Sequence, residues 1–276
     1  MSPRIKTYIL LAIAAALALG VTITHAQQKP QIIQAIPGTL IYAPSGPNFN
    51  PYAPSNIVGS IATYVPLAFY NPFTGKFYPV LAENWTVQLF PNGSALFTIY
   101  LRRGLYWFNG SAVMPFTAWD VYTYFYIGMK SFWWYSPWIN NSLADEDIRV
   151  LNNYTIQFLF QKWTTFIPYW MLPSWISTPY EVWKPIVDKL KTMNLTQAVA
   201  YSTNITEFVP PYWGLNPYYL TYLSSSYIDI TLEPMYFNGV PLLARWEEIF
   251  PFANWYDYNP TIVNWYVAGN TQAMSA

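Results

Sequence analysis

The chain has 276 residues with 13 basic and 13 acidic side chains, a formal charge of zero, 20% aromatic residues and only 9% charged ones. Ordinary soluble domains carry roughly 25% charged residues, and with no basic run or patch, nucleic acid is excluded as a partner. The absence of cysteine, and a single histidine at His25, excludes disulfides, thiol chemistry and a lipid-anchoring Cys, and beyond residue 26 it excludes His-based metal sites and Ser-His-Asp catalysis.

Residues 1–26 read as a secretory signal: Arg4 and Lys6 form a charged start, Tyr8–Ile23 is apolar, and Thr24-His25-Ala26 resembles a small-x-small cleavage site. The rival reading is a retained membrane anchor, since Tyr8–Ile23 is only slightly short of a span. Without Arg4 and Lys6 the chain carries eleven basic and thirteen acidic residues, a balance of −2. A surface of Tyr, Asn, Ser and Thr stays soluble without depending on pH, which suits a hot acidic medium.

Gln27–Ile36 reads as a polar lead-in, Thr39–Ala43 as a short strand, and the Pro-, Asn- and Ser-dense Pro44–Asn56 as a loop. Ile57–Phe69 is expected to be a helix ended or kinked by Pro66. Asn71–Lys76 reads as a hairpin turn. The stretch 81–126 runs strand, turn, strand, Gly turn, short loop, helix start. Pro91-Asn92-Gly93 and Asn109-Gly110 supply the turns. Ser94–Leu101 alternates as a half-buried strand should. Thr117 fits the N-cap of a helix over Ala118–Met129, with Asp120 as its capping-box acid.

Lys130–Asn141 follows as an aromatic loop containing Phe132, Trp133, Trp134, Tyr135 and Trp138. Asn153–Phe160 is a strong strand. Glu181–Met193 is expected to be helical despite Pro185. Pro210–Leu220 is a turn-rich segment, Ser226–Leu232 a strand, and Tyr236–Pro241 a turn. Seven N-x-S/T sequons start at Asn84, Asn92, Asn109, Asn140, Asn153, Asn194 and Asn204. Chance in so Asn- and Ser/Thr-rich a chain supplies roughly three, so the excess favours an extracellular, glycosylated surface, against the plainer reading that Asn is abundant in turns.

Three segments carry a family resemblance: Leu81-Ala82-Glu83-Asn84-Trp85, Leu101-Arg102-Arg103-Gly104 through Asn109-Gly110, and Pro115-Phe116-Thr117-Ala118-Trp119-Asp120-Val121. They resemble blocks of the family 5 extracellular solute-binding proteins of ABC importers, the oligopeptide- and dipeptide-binding type, in an archaeal member. Phe108 and Trp119 depart from the family pattern toward the aromatic and uncharged. Pro211–Leu220 resembles a further family segment, with Asn216 in place of its second Gly. The resemblance covers about residues 38–250 and implies an α/β fold. The expected architecture is a periplasmic-binding-protein-like (type II, cluster C) lobe with an inserted mixed α+β subdomain. Residues 27–56 and 179–276 would form the first lobe and 57–178 the inserted subdomain, and the C-terminal lobe that closes over the ligand would be missing.

The implied function is capture of oligopeptides or oligosaccharides outside the cell for delivery to an ABC permease in the membrane, with no catalysis, metal or cofactor. Peptides would be held by backbone hydrogen bonds and sugars by stacking on Trp and Tyr. Candidate contacts are Ser45, Asn48, Asn50 and Tyr52 in the first loop, Trp133, Trp134 and Trp138 as a stacking group, and Tyr212 and Trp213 near the hinge. The plainer alternatives are aromatic core packing and ordinary turn chemistry. With half the cleft absent, ligand binding by this chain is expected to be weak. Two rivals remain: a surface-layer or structural glycoprotein, and a secreted glycosidase. The second would use Asp145-Glu146-Asp147, read as a solvated loop, and Glu247-Glu248, read as an exposed helix end, although nothing pairs them across a sugar site.

Overall fold

The computed structural model describes residues 48–54, 56 and 64–215 in full. It adds the backbone of strands at 31–35, 42–43, 46–47, 218–223, 227–232, 245–249 and 273–274. The strands are β1 Gln31–Ala35, β2 Tyr42–Ala43, β3 Gly46–Pro47, β4 Ala68–Asn71, β5 Lys76–Pro79, β6 Ala82–Leu89, β7 Ala95–Leu101, β8 Tyr106–Phe108, β9 Val113–Pro115, β10 Ile148–Asn152, β11 Thr155–Phe160, β12 Tyr218–Leu223, β13 Tyr227–Leu232, β14 Arg245–Ile249 and β15 Ala273–Met274. The helices are α1 Ala118–Phe132, α2 Ala144–Asp147, α3 Ile167–Met171, α4 Tyr180–Lys191, α5 Leu195–Ala200 and α6 Ser202–Glu207.

Two sheets organise the chain. A four-stranded antiparallel sheet has the order β10-β11-β7-β6. Its central strand β7 buries Ala95, Phe97, Ile99 and Leu101 on one face, as the alternating sequence predicts. A five-stranded mixed sheet has the order β12-β13-β14-β1-β15. There β1 runs parallel to β14 with Gln31 opposite Arg245, so the two ends of the chain meet across one ladder. Gln31–Ala35 is thus an inner strand and not a polar lead-in. Its partner lies over 200 residues away, so nothing local betrays it.

Helix α1 packs against α4 and α5, and against β10 and β11 of the four-stranded sheet. Twelve of its fifteen residues are buried, which explains why its composition is apolar almost all round. Thr117 and Asp120 form the expected capping box. The helix runs three residues past Met129, because its end is set by Trp133 in the left-handed conformation (φ 57°) and not by a glycine.

The expected helix at Ile57–Phe69 is corrected where it can be seen. Residues 57–63 lie outside the described residues, but Tyr64–Phe69 is not helical. Pro66 bridges to Trp175, and β4 begins at Ala68. Pro66 cannot donate to a helical ladder, while Ala68 N–H finds the Leu172 carbonyl at 2.8 Å instead. Thr39–Leu40–Ile41 and Ser224–Ser226 also lie outside the described residues, as does the Tyr236–Pro241 turn. The β4–β5 hairpin turns at Asn71–Gly75 as expected, with Gly75 at φ 66°. Pro185 is accommodated inside α4, whose buried Trp183, Ile186, Val187 and Leu190 anchor it.

The two acidic groups are also corrected. Asp145–Asp147 lies in α2, where Asp145 pairs with buried Lys130 and accepts from the Tyr126 hydroxyl, and buried Asp147 accepts from Gln161. Glu247 and Glu248 lie in strand β14 and not at a helix end. Among the described residues no helix is long and apolar enough to cross a membrane, and no cluster of three acidic or His residues could hold a metal.

Candidate functional site

An aromatic trough opens where three segments meet: Tyr124 on α1, the loop after α1, and the stretch through α3. It consists of two adjoining hollows of about 390 and 370 Å³ that share Tyr124, Trp170 and Ser174. Trp134, Tyr135 and Trp138 line one hollow. Tyr169, Trp175 and the loop residues Pro51 and Asn56 line the other. Among the described residues, none in either wall is charged.

The loop wall follows from the end of α1. Trp133 (φ 57°) and Tyr135 (φ 62°) both take the left-handed conformation, which costs a non-glycine residue about 1–2 kcal/mol each. The reversal folds Trp134 back over Gly128, and a Cβ at Gly128 would overlap the Trp134 ring. Trp134 also meets Tyr124 at 5.2 Å and Tyr52 at 5.6 Å between ring centroids, so the core holds it. Trp138 and Trp170 face each other at 4.9 Å and 44°. Trp170 is 48% exposed and Tyr169 43%, leaving ring faces open to solvent. Non-glycine strain of this kind gathers at functional sites, where surrounding packing holds it.

The hydroxyls of Tyr124 and Tyr135 stay protonated. Burial pushes Tyr124 up to about 12 and Tyr135 further, while Ser174 pulls both partly back. The Ser174 hydroxyl itself donates to the Trp170 carbonyl at 3.1 Å. The described walls of the trough therefore offer aromatic faces and uncharged hydrogen-bonding groups.

Of the residues expected to touch ligand, Trp134 and Trp138 line this trough. Trp133 is 52% exposed and stands outside its walls. Asn48, Asn50 and Tyr52 are buried and line neither hollow. Asn50 Nδ2 donates to the carbonyls of Ile205 (2.5 Å) and Phe208 (2.9 Å), which pins the first loop to α6. Asn48 Oδ1 accepts from Asn50 N–H, and Tyr52 stacks on Phe132 and donates to the Tyr124 carbonyl at 2.8 Å. Tyr212 packs on Phe49 at 4.9 Å, and its hydroxyl accepts from Leu220 N–H. Trp213 is half-buried beside Gly214, which bridges to Phe108. Ser45 lies outside the described residues. Tyr124, Tyr169, Trp170 and Trp175 were not expected, because in a chain so rich in aromatics none of them stands out.

A second constellation joins α1 to α4. Asp120 Oδ2 accepts from Thr117 N–H at 2.6 Å, and Oδ1 accepts from Tyr180 N–H at 2.7 Å, so one carboxyl caps two helices sixty residues apart. The Thr178 hydroxyl adds a bond to the Asp120 carbonyl. Burial pushes the carboxyl up to about 7, against the pull of Thr117, Tyr180 and the Trp107 indole. That indole N–H has no partner within hydrogen-bond geometry, yet lies close enough to favour the ionised form. Helix-terminal donors and desolvation oppose each other here, and desolvation prevails.

In solved structures the architecture is similar to that of binding proteins associated with ABC transporters. The periplasmic binding protein DppA of Helicobacter pylori, in complex with a peptide, superposes with a TM-score of 0.58 at 18% identity, covering 91% of this chain and 48% of that one. OppA of Burkholderia pseudomallei gives 0.60 at 18% identity, covering 90% and 46%. A mannohexaose-bound periplasmic oligopeptide-binding protein of Thermotoga maritima gives 0.54 at 22% identity, covering 87% and 40%. The chain thus has the mixed α/β fold of periplasmic binding proteins and spans under half the length of these structures. No protein-family model and no curated protein matches it.

Proposed function

We propose that the chain is the ligand-holding part of an extracellular solute-binding protein that serves an ABC importer, and that its ligand is a neutral oligosaccharide. The observation that carries this reading is the aromatic trough, whose described walls hold no charged residue. Indole and phenol rings stack on the C–H faces of sugars, while Asn56, Ser174 and the tyrosine hydroxyls match sugar hydroxyls. A peptide with free termini carries two charges, and burying either without a partner is costly. The peptide reading is kept because a peptide-bound protein is among the structural neighbours, and backbone hydrogen bonds need no charge.

In this reading residues 1–26 direct export, 27–56 with 179–276 form one lobe, and 57–178 is the inserted subdomain. Asp120 and the bridge from Phe108 to Gly214 join the two parts. A further lobe, of the kind the longer structural neighbours have room for, closes over the trough and excludes water. The permease is the downstream partner. Deleting the gene and measuring uptake of labelled oligosaccharides and peptides by the cells that make the protein tests this. Loss of oligosaccharide uptake alone is the expected result. Unchanged uptake of both would sink the importer reading and favour a structural surface role.

A further inference from the structure

We propose that the exposed sequons of the four-stranded sheet, Asn84, Asn92 and Asn153, are N-glycosylation sites whose glycans shield its two open edges. The inference shares with the proposed function only the premise that the chain is exported.

The chemistry requires an accessible side-chain amide nitrogen. At each of these three sites the asparagine is exposed and its Nδ2 makes no hydrogen bond. At Asn92 the Oδ1 accepts from Ser94 N–H (3.1 Å) and from the Ser94 hydroxyl (2.7 Å). The carbonyl half of the amide is therefore engaged while the nitrogen is presented. Asn84 Oδ1 likewise accepts from Trp85 N–H. The described asparagines whose Nδ2 does donate, namely Asn50, Asn56 and Asn141, all lie outside sequons. No described sequon asparagine has its amide nitrogen tied up in this way.

Placement supplies the second observation. β6 and β10 are the edge strands of the sheet. They expose Val87, Leu89 and Leu151 at 38%, 64% and 52%. Open edges with apolar residues invite pairing with another chain, and proteins usually blunt them with charge. Here β6 has only Glu83 and β10 only Arg149. Asn84 lies on β6, Asn92 in the turn that ends it, and Asn153 in the turn that ends β10. Bulky hydrophilic glycans at these points would do what the missing charges do elsewhere.

In the transfer, Asn Nδ2 attacks the anomeric carbon of a lipid-diphosphate-linked oligosaccharide. The N–C bond forms, the bond from that carbon to the diphosphate oxygen breaks, the lipid diphosphate leaves, and Nδ2 gives up one proton to a base of the transferase. No electrons are exchanged.

The test is mass spectrometry of peptides from the exported chain, purified from the cells that make it. Peptides containing Asn84, Asn92 and Asn153 should carry whole-sugar mass increments, and Thr86→Ala should remove the one at Asn84 while leaving that asparagine in place. Removing all three sites should shift the chain toward larger species in size-exclusion chromatography, with its circular dichroism unchanged. Unmodified peptides at all three sites of the exported chain overturn the proposal and leave ligand binding untouched. Glycosylated peptides on a chain that binds no solute support it and sink the proposed function instead. Recovery of the chain only from the cytoplasm overturns both.

Discussion

The Asp120 clasp makes a prediction whose sign runs against the usual behaviour of carboxylates. Asp120→Ala removes the acceptor for Thr117 N–H and for Tyr180 N–H in a site 3% exposed to solvent. Each orphaned buried donor costs about 1–3 kcal/mol, so the loss should be about 3–5 kcal/mol, a large share of a domain's stability. The pH dependence is more telling. Burial lifts the carboxyl from an ordinary 3.8 to about 7. Between those values the folded chain holds a proton that the unfolded chain has released. The stabilisation is therefore complete below about pH 4 and is lost as pH rises through about 7, with a ceiling of about 4 kcal/mol. Urea unfolding followed by circular dichroism from about pH 4 to about pH 8 reads this directly. The wild-type chain should lose stability across the window, and Asp120→Asn should lose less. Equal losses in the two chains would refute the reasoning, since Asp147, also raised by burial, is common to both.

Gly128→Ala should destabilise by about 1–3 kcal/mol and shift tryptophan emission, because the new methyl displaces Trp134; helix propensity alone would predict a gain of about 1 kcal/mol. Trp138→Ala and Trp170→Ala should each weaken oligosaccharide binding about tenfold in a fluorescence titration, whereas Trp133→Ala should change it less than twofold. Asn50→Leu should cost about 2–3 kcal/mol in urea unfolding, since the Ile205 and Phe208 carbonyls lose their donor.

What the sequence discloses about this molecule is what depends on near neighbours. Thr117 and Asp120 announce α1 because a capping box is complete within four residues. The hairpin at Asn71–Gly75 and the alternation of β7 are equally local. β1 is hidden because its partner is at the other end of the chain. The second bond of Asp120, to Tyr180, is hidden for the same reason. The end of α1 misleads because a tryptophan occupies a conformation that glycine usually takes. For the trough, the run Trp133–Trp138 draws attention as a cluster. Tyr124 and Trp170 do not, since one reads as a helix residue and the other as one aromatic among many. Asn48, Asn50 and Tyr52 look like contacts on an open loop, and only the three-dimensional structure reveals that packing buries them.

The central claim is that the aromatic trough holds a neutral glycan. Titrating the chain with mannohexaose and with an uncharged-side-chain tetrapeptide, while following tryptophan fluorescence, tests it most directly. The account predicts saturable quenching by the oligosaccharide, abolished in the Trp138→Ala, Trp170→Ala double variant. For stacking in an open trough the dissociation constant should be about 1 mM, or roughly −4 kcal/mol. Tighter binding of the tetrapeptide, or oligosaccharide quenching that survives the double variant, would contradict it.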